Sequence, residues 1–389
     1  MLNINQILPA IRMSLSTDVL VSVNLSNSPE ILEKCNSENI EIEGLFYALS
    51  TSPEQLTEEI IEKALYMPFG ICVKGLGLIV VAESAKTAKA AKSYFEAALL
   101  GNEIIPEKLS SDIVSGKVKT KIFIVTGGAQ GFGEGIVRDL YKQGANIVIA
   151  DLNDAKANEL ASELNASGQG NMVTFFKTNV AEAASVEALV EFTVKEFGGL
   201  DVMISNAGIL RAGGLDEMTP ETFDLMTKVN YTGYFMCAKY ASAVMKTQNR
   251  YKPDHFTDII QINSKSGLKG SNKNFAYAGG KFGGIGLTQS WAMELMPYNV
   301  KVNSICPGNF FDGPLWSDPQ NGLFVQYLNA GKVPGAKTIN DVKRFYEAQV
   351  PANRGCRVID VMRAIYYVIE QEYETGQAIP VTGGQNMLK

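Results

Sequence analysis

The sequence predicts an α/β fold: a doubly wound, Rossmann-like parallel sheet preceded by a smaller N-terminal α/β domain. From residue 121 onward, short continuous apolar runs alternate with segments of helical spacing. This alternation is typical of parallel strands that are covered by helices on both faces. A glycine-rich turn follows the first of these runs. The chain also has 389 residues, more than a single domain usually needs.

In the second part of the chain, strands and helices are expected to alternate along the sequence. Right-handed crossovers between them then give a doubly wound sheet. The predicted strands are 121–125, 146–150, 172–176, 200–205, 258–262, 302–305 and 378–381. The predicted helices are 135–143, 155–164, 186–197, 222–245 and 278–295.

The first part of the chain reads as a separate, smaller unit of normal domain size. A polar stretch at 105–118 contains Pro106 and charges of both signs, and we interpret it as a linker. The predicted domains therefore span residues 1–110 and 118–389. The strands expected in the first are 19–25, 45–49 and 70–81, and the helices are 28–34, 54–65 and 85–99.

The acidic balance of the chain excludes some classes of function. The net charge is −6, and no basic run occurs. Such a chain is a poor partner for nucleic-acid phosphates and anionic lipids, so we expect no nucleic acid and no membrane as a partner. The most apolar stretch, 70–82, is too short and too charged to span a bilayer. The first 15 residues lack the pattern of a signal peptide.

The cysteines and the histidine limit the location and the metal chemistry. Five cysteines are scattered without a Cys-x-x-Cys motif, as is typical of reduced thiols in a cytoplasmic protein. One histidine and isolated cysteines cannot assemble a usual zinc site, so we expect no metal. We expect that histidine, His255, to be a surface residue in a polar loop before a strand.

A glycine-rich turn between the first strand and the first helix of the second part predicts a dinucleotide site. Glycines let the backbone approach a pyrophosphate, and the helix N-terminus offers it unpaired N–H groups. Asp151 ends the next strand, twenty residues after Gly131, where a carboxylate can bind both hydroxyls of the adenosine ribose. It would repel a 2′-phosphate, which favours NAD over NADP. The residues assigned to the turn are Gly127, Gln130, Gly131, Phe132 and Gly133.

A tyrosine, a lysine and a serine form the candidate catalytic group. Tyr277 and Lys281 are four residues apart on a predicted helix and therefore share a face. Ser264 lies thirteen residues earlier, at the end of a strand. A nearby ammonium lowers the pKa of a phenol, which then can accept the proton of an alcohol that gives its hydride to nicotinamide. Ser264 can hold the reacting oxygen beside Tyr277.

These motifs, in this order and spacing, resemble the short-chain dehydrogenase/reductase family over residues 120–389. The resemblance implies that Asn230 completes the site by holding a water that relays protons to Lys281. The threonine that often follows Pro307-Gly308 in the family is missing, which puts the carboxamide contacts there in question. The resemblance also implies a homodimer or homotetramer. Further cofactor contacts implied are Asn179, Val180, Asn206, Ala207, Gly208, Pro307 and Gly308.

A narrower likeness, carried by 259–267, 281–290, 354–356 and 375–385, suggests the substrate class. These segments resemble the branch of the family that interconverts D-sorbitol 6-phosphate and D-fructose 6-phosphate with NAD. Such a sugar-alcohol phosphate needs a cation near the mouth of the pocket. The candidate cations are Arg211, Lys265, Lys332 and Arg354, and Asn263 and Asn309 are candidates to bind hydroxyls.

Two segments are expected to shape the site and the assembly. The long stretch 310–350 fits a substrate lid, with a plain insertion as the alternative. The stretch 279–286 places five glycines inside a predicted helix, which costs stability unless close packing offsets it. We expect this helix to pack against the sheet on one side and a partner subunit on the other.

The first domain and the function of the whole chain each have more than one possible interpretation from the sequence. Residues 74–79 and 82–98 resemble the end of class II sugar-phosphate aldolases, but residues 1–115 contain no histidine to bind their zinc. We interpret the domain as a catalytically silent remnant, or as an unrelated α/β cap. For the whole chain, the alternatives to the proposed enzyme are a dehydrogenase of another polyol and a nucleotide-binding protein without catalysis. Retention of both Tyr277 and Lys281 argues against the latter.

Overall fold

The computed structural model describes the chain except for residues 1–2, 38–40, 49, 51, 64–65, 103–113, 168–169, 271, 321, 330, 332 and 388–389. Most of the linker predicted at 105–118 therefore lies outside the described residues, as do Lys332 and the ends of the elements predicted at 45–49 and 54–65.

The first part of the chain forms a four-stranded mixed sheet with helices on both faces. Its strands are β1 (Ser22–Ser26), β2 (Leu45–Ala48), β3 (Phe69–Val73) and β4 (Gly77–Ala82), in the order β1-β4-β3-β2. Only β2 and β3 are parallel. Its helices are α1 (Ile4–Leu15), α2 (Pro29–Asn36), α3 (Pro53–Lys63) and α4 (Ala85–Leu100).

Two features of this unit differ from the sequence prediction. The single strand expected at 70–81 is an antiparallel hairpin, because Gly75 and Gly77 adopt φ angles of 75° and 119° that reverse the chain. The helix α1 was not predicted. Asn3 caps its N-terminus by accepting a hydrogen bond from the Asn5 backbone N–H, and its residues Ile7–Met13 are buried.

The second part forms a seven-stranded, all-parallel sheet, as the sequence predicts. The strands lie in the order β11-β10-β9-β8-β5-β6-β7. They are β5 (Ile122–Thr126), β6 (Asn146–Asp151), β7 (Val173–Lys177), β8 (Val202–Ser205), β9 (Thr257–Ile262), β10 (Val300–Pro307) and β11 (Ala378–Val381). The helices are α5 (Gly131–Lys142), α6 (Asp154–Asn165), α7 (Ala183–Phe197), α8 (Pro220–Thr227), α9 (Gly233–Tyr251), α10 (Phe275–Leu295), α11 (Pro314–Ser317), α12 (Leu323–Asn329), α13 (Ile339–Ala348) and α14 (Val358–Glu370).

The long helix predicted at 222–245 is interrupted. A π-helical turn over Lys228–Thr232 separates α8 from α9. Gly233 begins α9 where a Cβ would lie only 3.1 Å from the carbonyl oxygen of Val180, so a larger residue would push the helix away from the strand end. Turns of this kind often occur at functional sites.

The stretch 310–350 contains α11, α12 and α13 and builds a small apolar core of its own. Phe311, Trp316, Phe324 and Val342 are buried in that core. The described residues of this segment therefore form a cap with internal packing, which is compatible with the predicted lid.

The two sheets are joined through a continuous apolar core. Helix α1 packs against α7 and α9, and its Ile7, Leu8 and Ile11 belong to the same cluster as residues of the seven-stranded sheet. Strand β1 reaches α7 as well, where the side chain of Asn24 donates to the Glu196 carbonyl at 2.9 Å. The first part of the chain therefore lies against the dehydrogenase-like part.

The prediction for His255 is wrong. Its side chain is only 8% exposed, and Nε2 lies 3.1 Å from Oδ1 of Asp201, a buried carboxylate that also pairs with Arg12. The sequence shows a polar loop around His255 but not the buried Asp201, paired with Arg12, that it contacts. Within the described residues, the longest apolar helices are still too short or too polar to cross a membrane.

Candidate active site

The glycine-rich turn takes the shape that a pyrophosphate site requires. Gly127 and Gly131 both have a φ of 63°, which favours glycine, and α5 begins at Gly131. A Cβ on Gly133 would collide with the Gly127 carbonyl, so the turn closes only with glycine there. The N-terminus of α5 thus presents free N–H groups beside a backbone that a phosphate can approach closely. The predicted turn residues fit a bound dinucleotide.

Asn206 ties the turn to the neighbouring strand. Its Nδ2 donates to the carbonyl oxygens of Thr126 and Gly127 at 2.9 and 3.1 Å. The Thr126 hydroxyl accepts hydrogen bonds from the backbone N–H groups of Asn206 and Ala207, both at 3.0 Å. The ends of β5 and β8 are therefore held in one geometry. This is consistent with the supporting role that the family resemblance implies for Asn206.

Asp151 lies at the end of β6, beside the glycine-rich turn. Its Oδ2 accepts a hydrogen bond from the Ala129 N–H at 3.0 Å, and its Oδ1 accepts one from the Asn153 N–H at 3.0 Å. The carboxylate is partly exposed, and each of its oxygens can accept a further hydrogen bond. Asp151 can therefore bind ribose hydroxyls while it also holds the turn in place.

Asn179 and Val180 follow β7 on the adenosine side of the expected site. Asn179 Nδ2 donates to Glu182 at 2.7 Å, and its Oδ1 accepts from the Ala181 N–H at 3.1 Å. Asparagine stands here where the family more often has aspartate, and its oxygen still supplies this turn-forming acceptor. Val180 is 8% exposed and offers an apolar surface beside the strand end.

The predicted catalytic side chains meet at the carboxyl end of β9. Lys281 is 4% exposed, its Nζ donates to the Ile262 carbonyl at 2.9 Å, and it lies 5.6 Å from the centre of the Tyr277 ring. Burial lowers the pKa of Lys281 to about 8 and raises the pKa of Tyr277. A hydrogen bond between the hydroxyls of Ser264 and Tyr277 opposes the rise in the tyrosine pKa.

Asn230 lies in the π-helical turn, and its side chain is close to Lys281. Its Oδ1 accepts from the Ile209 N–H at 3.0 Å, and its Nδ2 donates to the Ile209 carbonyl at 2.9 Å. A Cβ on Gly208 would lie 2.9 Å from Asn230 Oδ1 and 3.9 Å from Lys281 Nζ. The structure therefore brings Asn230 and Lys281 together around Gly208, as the sequence analysis expects.

The glycines of α10 serve close packing against the sheet. A Cβ on Gly284 would collide with the Gln261 side chain of β9, and one on Gly283 would lie 2.7 Å from the Tyr231 ring. These contacts agree with the predicted packing on the sheet side. Gly279 and Gly286 face open space.

The candidate substrate residues are in very different environments. Arg354 is held by Asp360 through two hydrogen bonds of 2.6 and 3.0 Å, so its charge is already paired. Arg211 is exposed, and among the described residues its guanidinium donates only to the Leu210 carbonyl. Lys265 is partly buried directly beside Ser264. Asn309 borders a cavity of about 210 Å³.

The proposed role of Asn263 in binding hydroxyls is wrong, because its amide is already engaged. Its Nδ2 donates to Gln261 Oε1 at 2.7 Å and to the Lys281 carbonyl at 2.9 Å, and its Oδ1 accepts from the Ser264 N–H at 2.7 Å. It instead holds Ser264 and the Lys281 backbone together. Strand alternation in the sequence cannot show which way this amide turns.

The C-terminal segment takes part in the site, which the sequence analysis did not propose. Asn386 Nδ2 donates to the Lys265 carbonyl at 3.0 Å, next to Ser264. Gln385 lines the cavity beside Asn309, and its buried Oε1 has no hydrogen-bond partner among the described residues. Other residues lining the cavity include Gly308, Arg354, Cys356 and Thr382.

The cap segment touches the glycine-rich turn. The rings of Phe132 and Phe310 stack with centroids 4.3 Å apart and an angle of 16° between planes. Pro314 Cδ lies 3.8 Å from the position of a Cβ on Gly131. The segment predicted as a lid therefore reaches the expected pyrophosphate position.

The family model for short chain dehydrogenase matches residues 121–316, a range that contains Asn230, Ser264, Tyr277 and Lys281. The chain belongs to the short-chain dehydrogenase family. The oxidoreductase chemistry that the sequence predicts agrees with this family. The first part of the chain lies outside the residues that match the family model.

Individual short-chain dehydrogenases are similar to this chain over most of their own length. Sorbitol-6-phosphate 2-dehydrogenase of Escherichia coli is 36% identical over 273 residues, which is 69% of this chain and 99% of that protein. Trans-4-hydroxycyclohexanecarboxylate dehydrogenase of Sinomonas cyclohexanicum is 36% identical over 278 residues, which is 70% of this chain and 95% of that protein. The crystal structure of sorbitol-6-phosphate 2-dehydrogenase from Erwinia amylovora matches with a TM-score of 0.62 at 35% identity, covering 69% of this chain and all of that one.

Proposed function

We propose that this short-chain dehydrogenase is an NAD-dependent enzyme that interconverts D-sorbitol 6-phosphate and D-fructose 6-phosphate. The observation that carries the proposal is the convergence of Ser264, Tyr277, Lys281 and Asn230 at the end of β9. It occurs in a chain that aligns with two sorbitol-6-phosphate 2-dehydrogenases over almost their whole length.

In this proposal a bound nicotinamide supplies the hydride acceptor, and the chain handles the proton. The Ser264 hydroxyl holds the reacting oxygen, and the Tyr277 phenolate takes its proton. Burial raises the pKa of Tyr277, so a positive charge nearby is needed to favour the phenolate. Lys281 is the ammonium that supplies it. Asn230 lies beside Lys281 and can bind a water that carries the proton onward.

The preference for NAD rests on Asp151. Its carboxylate can accept hydrogen bonds from the two ribose hydroxyls of the adenosine. A 2′-phosphate in that position would meet a negative charge that the turn already fixes through the Ala129 N–H. Gly127, Gly131 and Gly133 would cradle the pyrophosphate, and Pro307 and Gly308 would border the nicotinamide.

A second candidate is another secondary alcohol that carries an anionic group. The similarity to trans-4-hydroxycyclohexanecarboxylate dehydrogenase favours it, because the identity equals that to the sorbitol-6-phosphate enzyme. Both names describe an alcohol with a negative charge, so a cationic residue in the substrate site would suit either.

Absorbance at 340 nm separates these possibilities. NADH formation is measured with sorbitol 6-phosphate, then with NADP in place of NAD, and then with unphosphorylated sorbitol and 4-hydroxycyclohexanecarboxylate. We expect strong turnover only with NAD and the polyol phosphate. Turnover of the ring acid alone would favour the second candidate, and no turnover with any polyol phosphate would reject the first.

A further inference from the structure

Lys265 is next to Ser264 in the chain and has no counter-ion among the described residues. It directly follows Ser264 and begins a 3₁₀ turn, Lys265–Gly267. Its side chain is partly buried. No described carboxylate or other acceptor pairs with its ammonium. Arg354, by contrast, is already paired with Asp360.

An unpaired cation in such a place favours an anion from outside the chain. Burial removes water from the ammonium and lowers the pKa of Lys265. A charge that loses water without a partner is destabilising, and a bound anion would offset that cost. The lowered pKa therefore agrees with the geometry, in which no described residue pairs with the ammonium.

The backbone of Lys265 is fixed relative to the proposed reaction centre. The Ser264 hydroxyl accepts a hydrogen bond from the Ser266 N–H at 3.1 Å. The Lys265 carbonyl accepts one from Asn386 in the C-terminal segment and another, at 3.1 Å, from the Lys269 N–H. These hydrogen bonds fix the backbone of the turn, and they therefore fix the position from which the Lys265 side chain extends.

The adjacency of Lys265 to Ser264 and the length of its side chain are compatible with a substrate that is oxidised at one end and charged at the other. Consecutive Cα atoms lie about 3.8 Å apart, so Lys265 starts one residue from the hydroxyl that would hold the reacting oxygen. Its flexible stem then lets the ammonium follow an anion several carbons along the substrate. In a hexitol 6-phosphate oxidised at carbon 2, the phosphate is four carbons from the reacting atom.

We propose that Lys265 binds the phosphate of the polyol substrate and sets the preference for phosphorylated over free polyol. This inference rests on the proposed function and names the residue that recognises the charged group. Asn386 acts as a positioning residue for it through the Lys265 carbonyl.

The test compares Lys265→Met with Lys269→Met, which changes a solvent-exposed lysine two residues beyond the turn. We expect Lys265→Met to lower kcat/KM for sorbitol 6-phosphate about 10- to 100-fold, as the loss of one charged hydrogen bond implies. The ratio of kcat/KM for sorbitol 6-phosphate to that for free sorbitol should fall by a similar factor, and the affinity for NADH should be retained. Lys269→Met should behave like the unaltered enzyme. Lys265→Arg should recover part of the loss.

A binding measurement separates failure of this inference from failure of the proposed function. Calorimetric titration of inorganic phosphate into the full-length protein with NAD should show binding that Lys269→Met retains and Lys265→Met loses. If the unaltered enzyme oxidises no polyol phosphate but this difference is found, the substrate is wrong and the anion site stands. Equal phosphate affinity in both variants, or an unchanged preference for the phosphorylated polyol, would overturn the role of Lys265.

Discussion

Arg12 and Asp201 form a fully buried ion pair between residues that lie 189 positions apart in the sequence. Nη1 and Nη2 of Arg12 contact Oδ1 and Oδ2 of Asp201 at 3.0 and 2.7 Å, and neither side chain is exposed. The same carboxylate accepts hydrogen bonds from the Ile122 N–H at 2.7 Å and from Gln248 at 3.0 Å. Burial alone would raise the pKa of Asp201, but Arg12 and His255 hold it well below its usual range.

Replacing Arg12 by Met should therefore destabilise the whole chain. It would leave a buried carboxylate without its main counter-charge, which typically costs about 3–5 kcal/mol in the free energy of unfolding. Urea unfolding followed by circular dichroism measures this. Lys63→Met removes the part-exposed pair with Glu59 in the same unit, and should cost less than about 1 kcal/mol. Equal effects of the two changes would show that the Arg12 pair does not hold the two sheets together.

Asp258 should give the stability a distinct pH dependence. Burial raises the pKa of its carboxyl to about 6, although Lys301 at 3.1 Å opposes the rise. Because the folded pKa exceeds the unfolded value of about 3.9, the folded state binds this proton more tightly. The stabilisation of the folded state by this proton is complete below about pH 4 and is lost as the pH rises to about 6.

Asp258→Asn serves to measure that contribution. The stability of the unaltered protein relative to the variant should fall between pH 4 and pH 6 and be flat outside that window. Urea midpoints at half-unit pH steps supply the curve. A difference that rises with pH across the window would mean that the Asp258 carboxyl is instead held below its usual pKa.

Tyr277→Phe should abolish turnover and leave cofactor affinity nearly unchanged, because only the phenol that accepts the proton is removed. Stopped or steady-state assays at 340 nm give the rate, and NADH fluorescence gives the affinity. Phe132→Leu is a suitable comparison, since it alters the cofactor side without touching the proton acceptor. Residual turnover within a factor of ten would remove Tyr277 from its proposed role.

Asp151→Ala should weaken NAD binding far more than NADP binding. The change removes an acceptor for ribose hydroxyls and also the negative charge that would repel a 2′-phosphate. It further frees the Ala129 N–H, so some loss for both cofactors is expected. Fluorescence titration with NADH and NADPH compares the two. Identical fold-losses would assign Asp151 to the shape of the turn alone.

The exposed face of α9 and α10 suggests the assembly. Phe235, Phe282 and Met293 are 43%, 47% and 75% exposed, and Gly279 and Gly286 leave open space on α10. We propose that a second copy of the chain covers this face in a homodimer or homotetramer. Light scattering should report one of these masses, and Met293→Glu should lower it. A monomer at all concentrations would reject the assembly.

The features that sequence reasoning could predict are those encoded locally. The alternation of apolar runs and helices predicts the seven-stranded sheet, and the glycine-rich turn and the spacing of Tyr277 and Lys281 predict where the site lies. Each signal is complete within about twenty residues. The backbone of a doubly wound sheet then brings the strand ends together without further information.

The features that it could not predict depend on distant partners. His255 is in a polar loop, but it contacts the buried Asp201, which also pairs with the distant Arg12. Arg354 has the positive charge that a phosphate needs, but Asp360 already pairs with it. The acidic residue near the start of α14 is the one sequence signal that could have indicated this pairing. The hairpin in the first sheet depends on two glycines whose positive φ angles are not visible in an apolar run.

The stacking of Phe132 on Phe310 has a kinetic consequence. One ring belongs to the turn proposed for the pyrophosphate, and the other belongs to the cap that follows β10. If the cap opens, the two rings must separate, so we expect one movement to control access of both the dinucleotide and the substrate. We expect the frequency of this opening to contribute to the turnover rate.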